Sequence, residues 1–152
     1  MKEYVLEREI RVPRTAKEVF PFFAAAENLE RITPPELGFR IRSPLPIAMR
    51  SGALIDYTVK LHGIPTKWRT EINRWDAPRS FEDTQIAGPY AKWVHTHRFI
   101  EDSGGTIIQD RVVYRLPFGF LGMIAHPLVA RQLKRIFDYR ESVLNELFRV
   151  DA

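Results

Sequence analysis

Asp83, His95, His97 and Asp110 are side chains that can do acid–base, anchoring or ligating chemistry, and Gln85 and Tyr90 lie close to them in the chain. His95 and His97 belong to the run Trp93-Val-His95-Thr-His97-Arg-Phe99, whose period of two sends both imidazoles to the same face of a strand as Trp93 and Phe99. Phe81, Asp83 and Gln85 repeat that pattern, and Asp110 shares its parity with Ile108, Val112, Tyr114 and Leu116. If the apolar members turn inward, the carboxylates and imidazoles go with them. Buried charges are costly unless they are paired.

Several chemistries fit such a group. His95 or His97 can pair with Asp83 or Asp110 across neighbouring strands, forming a satisfied network that fixes register. The same groups can orient a bound molecule, because apolar pockets usually carry a few convergent polar groups that hold a carbonyl or hydroxyl. A histidine beside a carboxylate can also act as general acid or base, as an aldol-type cyclisation or a dehydration requires. Residue type and spacing single out no catalytic residue. A metal is the remaining option, since His95 and His97 stand about 7 Å apart along a strand and could flank an ion. No third ligand can be read at a suitable distance, so neither a metal nor any other cofactor is expected. His62 has the opposite parity from Tyr57 and Leu61 and adjoins a glycine turn, which places it at the surface; His126, just before Pro127, reads as a cap or loop residue.

The elements that must position these groups follow from periodicity. Tyr4 to Val12 alternates as a first strand, ended by Pro13. Thr15-Ala-Lys-Glu18 is a capping box that opens a short helix through Val19, Phe20 and Phe23, with Pro21 forcing a kink or an early end. Asn28 can cap a second short helix, Leu29 to Ile32, that Pro34-Pro35 must stop. Strands are then predicted over 37–43, 52–62, 66–76, 80–87, 91–101 and 105–116, separated by Gly63-Ile-Pro65, Asp76-Ala-Pro78, Gly88-Pro89 and Ser103-Gly104-Gly105, so antiparallel hairpins follow. Val129, Leu133, Ile136, Phe137, Val143, Leu144, Leu147 and Phe148 mark a C-terminal helix of about six turns, with Pro127 at its first position. Before it, Phe118-Gly-Phe120-Leu-Gly-Met123-Ile124 is expected as a buried hinge, an exposed mouth that touches membrane or partner being the alternative. On the helix, Tyr139 and Arg140 are expected to pack and to join a surface ion pair with Asp138 or Glu141; a place at a cavity end is the alternative.

This order defines an α+β helix-grip fold: a curved seven-stranded antiparallel sheet around a long C-terminal helix, with two short helices after strand one. The only long element available to cover the apolar sheet face is that helix, and a sheet wrapped round one rod seldom closes fully, which leaves an interior cavity. Tyr57, Trp68, Trp93 and Tyr114 are candidate wall residues beside the polar group, Trp68 being a better wall residue than Trp75.

Composition narrows the function. A chain of 152 residues suits a single domain, 1–152, with one core. The absence of cysteine excludes disulfides, thiolate metal sites and a cysteine nucleophile. The formal charge is +4, but the basic residues are scattered, with no five-residue basic run, so nucleic-acid binding is not expected. The charged N-terminus, MKEYVLEREI, does not read as an export signal, and no apolar run is long enough to cross a bilayer, so a cytoplasmic location is expected.

Asn28-Leu29-Glu30-Arg31-Ile32-Thr33-Pro34-Pro35, Gly52 to Tyr57, Phe81-Glu-Asp83-Thr-Gln85, Gly88-Pro89-Tyr90, Trp93-Val-His95-Thr-His97 and Ile136-Phe-Asp-Tyr139-Arg140 together resemble the START-like or SRPBCC superfamily over essentially the whole chain. That group includes the birch pollen allergen, polyketide cyclases and coenzyme Q-binding proteins, and the chain is similar to a bacterial subgroup labelled cyclase or dehydrase and sometimes fused to a sugar-epimerase-like domain. The resemblance implies a helix-grip fold and a cavity, but no catalytic residue. The expected activity is binding of a small hydrophobic molecule (a lipid, an isoprenoid or an aromatic polyketide-like compound) by Tyr57, Trp68, Asp83, Gln85, Tyr90, Trp93, His95, His97, Asp110 and Tyr114. A cyclase or dehydratase using a His/Asp pair and a partner-modulating module, with transient membrane or protein contact, are the alternatives. Oligomeric state is left open.

Overall fold

The computed structural model describes residues 2–149. Residues 1 and 150–152, at the ends of the expected domain, lie outside the described residues. Seven strands form one antiparallel sheet: β1 (Glu3–Val12), β2 (Arg40–Ile41), β3 (Leu54–Leu61), β4 (Ile64–Asp76), β5 (Ser80–Ala87), β6 (Lys92–Asp102) and β7 (Gly105–Arg115). Their order is β1-β7-β6-β5-β4-β3-β2, a meander from β2 to β7 with β1 added beside β7. His62-Gly63 and Ser103-Gly104 have positive φ at both positions, 51° and 81° in the first pair and 51° and 82° in the second. These are the two-residue turns whose twist matches that of the strands they join, Leu61 to Ile64 and Asp102 to Gly105. Register shifts between β4 and β5, at Arg69/Thr70 and Ile72/Arg74, are bulges that bend the sheet.

Helix α1 (Ala16–Phe23) starts on the expected capping box: Glu18 N–H donates to Thr15 Oγ1 at 3.3 Å, and Thr15 N–H donates to Glu18 Oε1 at 3.1 Å. It carries Pro21 and ends two residues later. The next short helix begins earlier than Asn28, running as 3₁₀ over Ala26–Ile32. Asn28 is not its cap; its side-chain amide instead donates to Phe22 O at 2.8 Å, tying the turn back to α1. Pro34-Pro35 does not end helical structure outright, because Pro35–Leu37 makes one more 3₁₀ turn, with proline at the position where its missing N–H costs least. That turn shortens the strand expected over 37–43 to Arg40–Ile41.

The C-terminal helix α2 (Gly119–Phe148) is longer than its periodicity suggested. Pro127 lies inside it rather than at its start. It gives up the backbone bond to the carbonyl of Met123, while the turns around it are held by buried Gly122 and Leu133. Gly122 packs so tightly against Pro117 that a Cβ there would stand 2.3 Å from the Pro117 carbonyl oxygen. Leu133, Phe137, Arg140, Leu144 and Phe148 form the buried stripe facing the sheet. Arg8 in β1 donates to Asp138 at 2.8 Å and to Glu141 at 3.0 Å, fastening the sheet edge to the helix.

The core divides in two. One cluster joins α1 and the end of α2 to the sheet through Val19, Phe20, Phe99, Ile108, Leu144 and Phe148. The other is largely aromatic and includes Trp68, Tyr90, Trp93, Tyr114 and Phe137.

Candidate functional site

On β6 the burial alternates strictly, with Trp93, His95, His97 and Phe99 inward, so both imidazoles stand on the concave face. His97 stacks on Phe81 of the first cluster at 4.0 Å between centroids, and His95 meets Trp93 and Phe137 of the second edge-on. The polar group therefore occupies the seam between the two apolar clusters.

Its hydrogen bonds run diagonally. Asp83 lies directly across from His95 and Asp110 directly across from His97. Yet His97 Nε2–H donates to Asp83 Oδ2 at 2.5 Å, and His95 Nε2–H donates to Asp110 Oδ1 at 2.8 Å. Each carboxylate takes the histidine two residues along, so β5, β6 and β7 are pinned in a single register. Arg140 of α2 completes the set, donating from a terminal nitrogen to Asp110 Oδ1 at 3.1 Å. Tyr139 and Arg140 were expected to pack with a surface ion pair, but Arg140 is 6% exposed and reaches the cavity end. A signal for this was present: Arg140 falls three residues after Phe137 and four before Leu144, inside the apolar stripe.

Charge states follow from this packing. Burial would raise the Asp110 carboxyl, but the Arg140 guanidinium and the His95 hydrogen bond hold it well below the usual carboxylate range. Burial also opposes ionisation of Asp83, yet His97, His95 and Arg140 keep its pKa below the ordinary value. His97 is pushed down to about 4, mainly by burial and then by His95. Its Nδ1, buried without a partner among the described residues, is then a bare lone pair and not a stranded donor. Tyr57 and Tyr90 are both raised by burial and stay as neutral hydroxyls.

Beside this network lies a cavity of about 160 Å³, room for a molecule given that one water needs only about 10–15 Å³. Tyr57, Trp68, Asp83, Tyr90, Trp93, His95 and His97 line it. Trp68 is fixed by its indole N–H, which donates to Thr70 Oγ1 at 3.1 Å. Three of the expected residues stand elsewhere. Gln85 clamps the β5–β6 turn, donating from Nε2 to Tyr90 O at 2.8 Å and accepting from Tyr90 N–H at 3.0 Å, so it positions Tyr90 rather than facing the space. Asp110 sits behind the histidines. Tyr114 is engaged by His126, with 2.9 Å between its hydroxyl and Nε2, while His126 also stacks on Tyr4. His126 is thus a packed helix residue, not a cap or loop residue; His62 is exposed in its turn.

Asp83, His95 and His97 each offer a ligand atom within 4.8 Å of the others, the spacing a metal ion would need. The two rings, however, are stacked, 3.7 Å apart and inclined by only 26°. In-plane lone pairs on nearly parallel rings do not converge on one ion at the roughly 2.0–2.1 Å that zinc requires. The arrangement as it stands suits a hydrogen-bonded network.

Curved sheet, clasped helix and internal cavity define a helix-grip fold. Residues 12–138 match the family described as polyketide cyclase / dehydrase and lipid transport, and the chain belongs to that family. Among solved structures it is similar to a protein from Thermus thermophilus, at 15% identity with TM-score 0.75 over 94% of this chain and 95% of that one. It is similar also to the ZhuI aromatase/cyclase from a Streptomyces species, at 15% identity with TM-score 0.74 over 95% and 93%. A START superfamily protein from Mycobacterium smegmatis aligns at 12% identity with TM-score 0.70 over 95% and 96%. No curated protein matches the chain in sequence.

Proposed function

We propose that this protein binds a small, mostly apolar molecule in the cavity under α2 and holds its polar end against Asp83, His95 and His97. The observation that carries this reading is the pairing of an apolar, aromatic-walled space with a compact polar group at its wall. Membership of a family that covers both cyclases and lipid transport supports it. Native mass spectrometry of freshly purified protein, followed by organic extraction, tests it: a stoichiometric adduct of apolar character is the expected result. A protein that is clean as isolated and that takes up no lipid, isoprenoid or aromatic polyketide on addition would overturn it.

One feature favours a catalytic second reading. Asp110 accepts from His95 Nε2–H, which fixes the tautomer and leaves Nδ1 as the free acceptor, 4.0 Å from Asp83 Oδ2 and on a residue that lines the cavity. An oriented imidazole of this kind is the arrangement a general base needs in a cyclisation or dehydration. In that case His95→Gln lowers turnover by far more than it weakens ligand uptake.

A further inference from the structure

None of the residues from Phe118 to Ile124 lines the cavity. That stretch was expected to be a buried hinge, but it is exposed apart from Gly122, with Phe118 79% and Phe120 74% exposed. An apolar face so open does not define what meets it, whereas the enclosed polar group does. Asp83 is the one carboxylate on the cavity wall among the described residues. Its Oδ2 accepts from His97, and its Oδ1 accepts from no group among the described residues. Two ring nitrogens add further acceptors: His97 Nδ1 is buried without a partner among the described residues, and His95 Nδ1 is bare because Nε2–H is given to Asp110. Arg140 is directed elsewhere. It donates to Asp110 at 3.1 Å, lies over the Phe23 and Phe137 rings at 5.4 and 5.9 Å, and acts on Asp83 more weakly than either histidine does. The wall facing the cavity therefore has acceptors and negative charge to spare. An alcohol brings one donor to it and a carboxylate none, while a primary ammonium brings three donors and no acceptor.

The aromatic wall points the same way. Tyr57 stacks on Trp68 at 5.6 Å, Trp68 and Trp93 stand at 90° with centroids 5.3 Å apart, and Tyr90 is tilted by 44° against Trp93 at 4.7 Å. All four line the cavity. Rings inclined to one another around one space present π faces from more than one side, and those faces attract an organic cation. The wall and the carboxylate are neighbours, because Trp93 meets His95 edge-on at 6.4 Å and His95 lies directly across from Asp83. Folding has already taken Asp83 out of water, so an entering cation gives up only its own hydration. A metal ion would need lone pairs that converge, which the stacked imidazoles do not offer. An ammonium accepts partners spread over several directions.

We propose that the polar end of the ligand is an ammonium group, held by Asp83 and walled by Tyr57, Trp68, Tyr90 and Trp93, so that the cavity selects apolar amines. This assignment rests on the cavity being a ligand site, and one pair of probes separates the two. Dodecylamine and dodecanol share a chain and differ in the head, and the amine stays protonated at about pH 7.5, well below the ordinary value of an alkyl ammonium. Both are titrated into the protein and followed by the fluorescence of Trp68 and Trp93. Dodecylammonium is expected to bind at least about tenfold tighter than dodecanol. In Asp83→Asn, which removes the charge and keeps an oxygen to accept from His97, that preference is expected to fall to about twofold or less. A wild-type protein that binds dodecanol as tightly as dodecylammonium overturns the ammonium assignment and leaves the cavity reading standing. A preference that persists in Asp83→Asn also overturns it, because the charge that is read then lies elsewhere. If neither probe binds, the cavity reading fails and the assignment falls with it. Should Asp83→Asn not fold, the wild-type ranking decides, together with dodecyltrimethylammonium. That head has no N–H, and it is expected to bind at least as tightly as dodecanol through charge and ring faces; weaker binding than the alcohol overturns the proposal.

Discussion

His97 is neutral because its surroundings make a second proton expensive: it is 4% exposed, stacked between Phe81 and His95, and its pKa is pushed down to about 4. In the unfolded chain the same imidazole titrates near 6.5. Between those values the unfolded state binds a proton that the folded state refuses, so stability rises with pH across the window from about 4 to 6.5 and is lost as pH falls through it. The two-and-a-half-unit separation is worth up to about 3 kcal/mol. Asp83 and Asp110 have depressed values, so their contribution is lost only at still lower pH, below the ordinary carboxylate range. His97→Gln keeps a donor for Asp83 and removes the titration. Urea unfolding at a series of pH values is expected to show a flatter dependence in the variant, and an unchanged slope would place the acid sensitivity elsewhere.

Among the elements, α2 and the β5–β6 hairpin each depend on one close approach. Alanine at Gly122 would set a Cβ 2.3 Å from a backbone oxygen of Pro117, which cannot move without shifting the start of the helix. At Gly88 the obstructing atom is Gln85 Oε1 at 2.6 Å, the end of a side chain that can rotate. Gly122→Ala is therefore expected to cost about 1–3 kcal/mol by overpacking, and Gly88→Ala less, with its loss read chiefly as loosening of Tyr90. Thermal unfolding of the two variants side by side checks the order. Strand and helix identities were largely legible from alternation and capping. The Thr15–Glu18 box and the two-residue turn at Ser103-Gly104 act within a few residues, so local sequence carries them. The extent of α2 was not legible, because a proline nine residues into a helix is allowed only by what packs around it. Nor was the shrinkage of β2 to two residues, since nothing local marks which part of an extended segment finds a partner.

For the whole molecule, the charge inventory of the enclosed site limits what it can hold. Two carboxylates, Asp83 and Asp110, face one guanidinium, and Arg140 is already bonded to Asp110. An anionic head brought in beside them would add a further negative charge in a medium that screens poorly. Dodecanol is expected to bind at least about tenfold tighter than dodecanoate near pH 8, a difference of about 1.4 kcal/mol. Trp68 and Trp93 on the wall make intrinsic fluorescence the direct readout. A carboxylate that binds as well as the alcohol would show that the head lies outside the polar group.

The amino-acid order by itself determined the seven strands, the long terminal helix and the inward parity of Asp83, His95, His97 and Asp110, because side-chain alternation is a property of neighbouring residues. It also carried the family resemblance. Which histidine serves which carboxylate was decided only by tertiary structure, since the pairing depends on the register of three strands and on diagonal reach. Arg140 joined the site for a similar reason: the rotation of a helix about its axis is set by what it packs against. The exposed end of α2 was the hardest to read, because an apolar run looks the same in sequence whether a neighbour covers it or leaves it open.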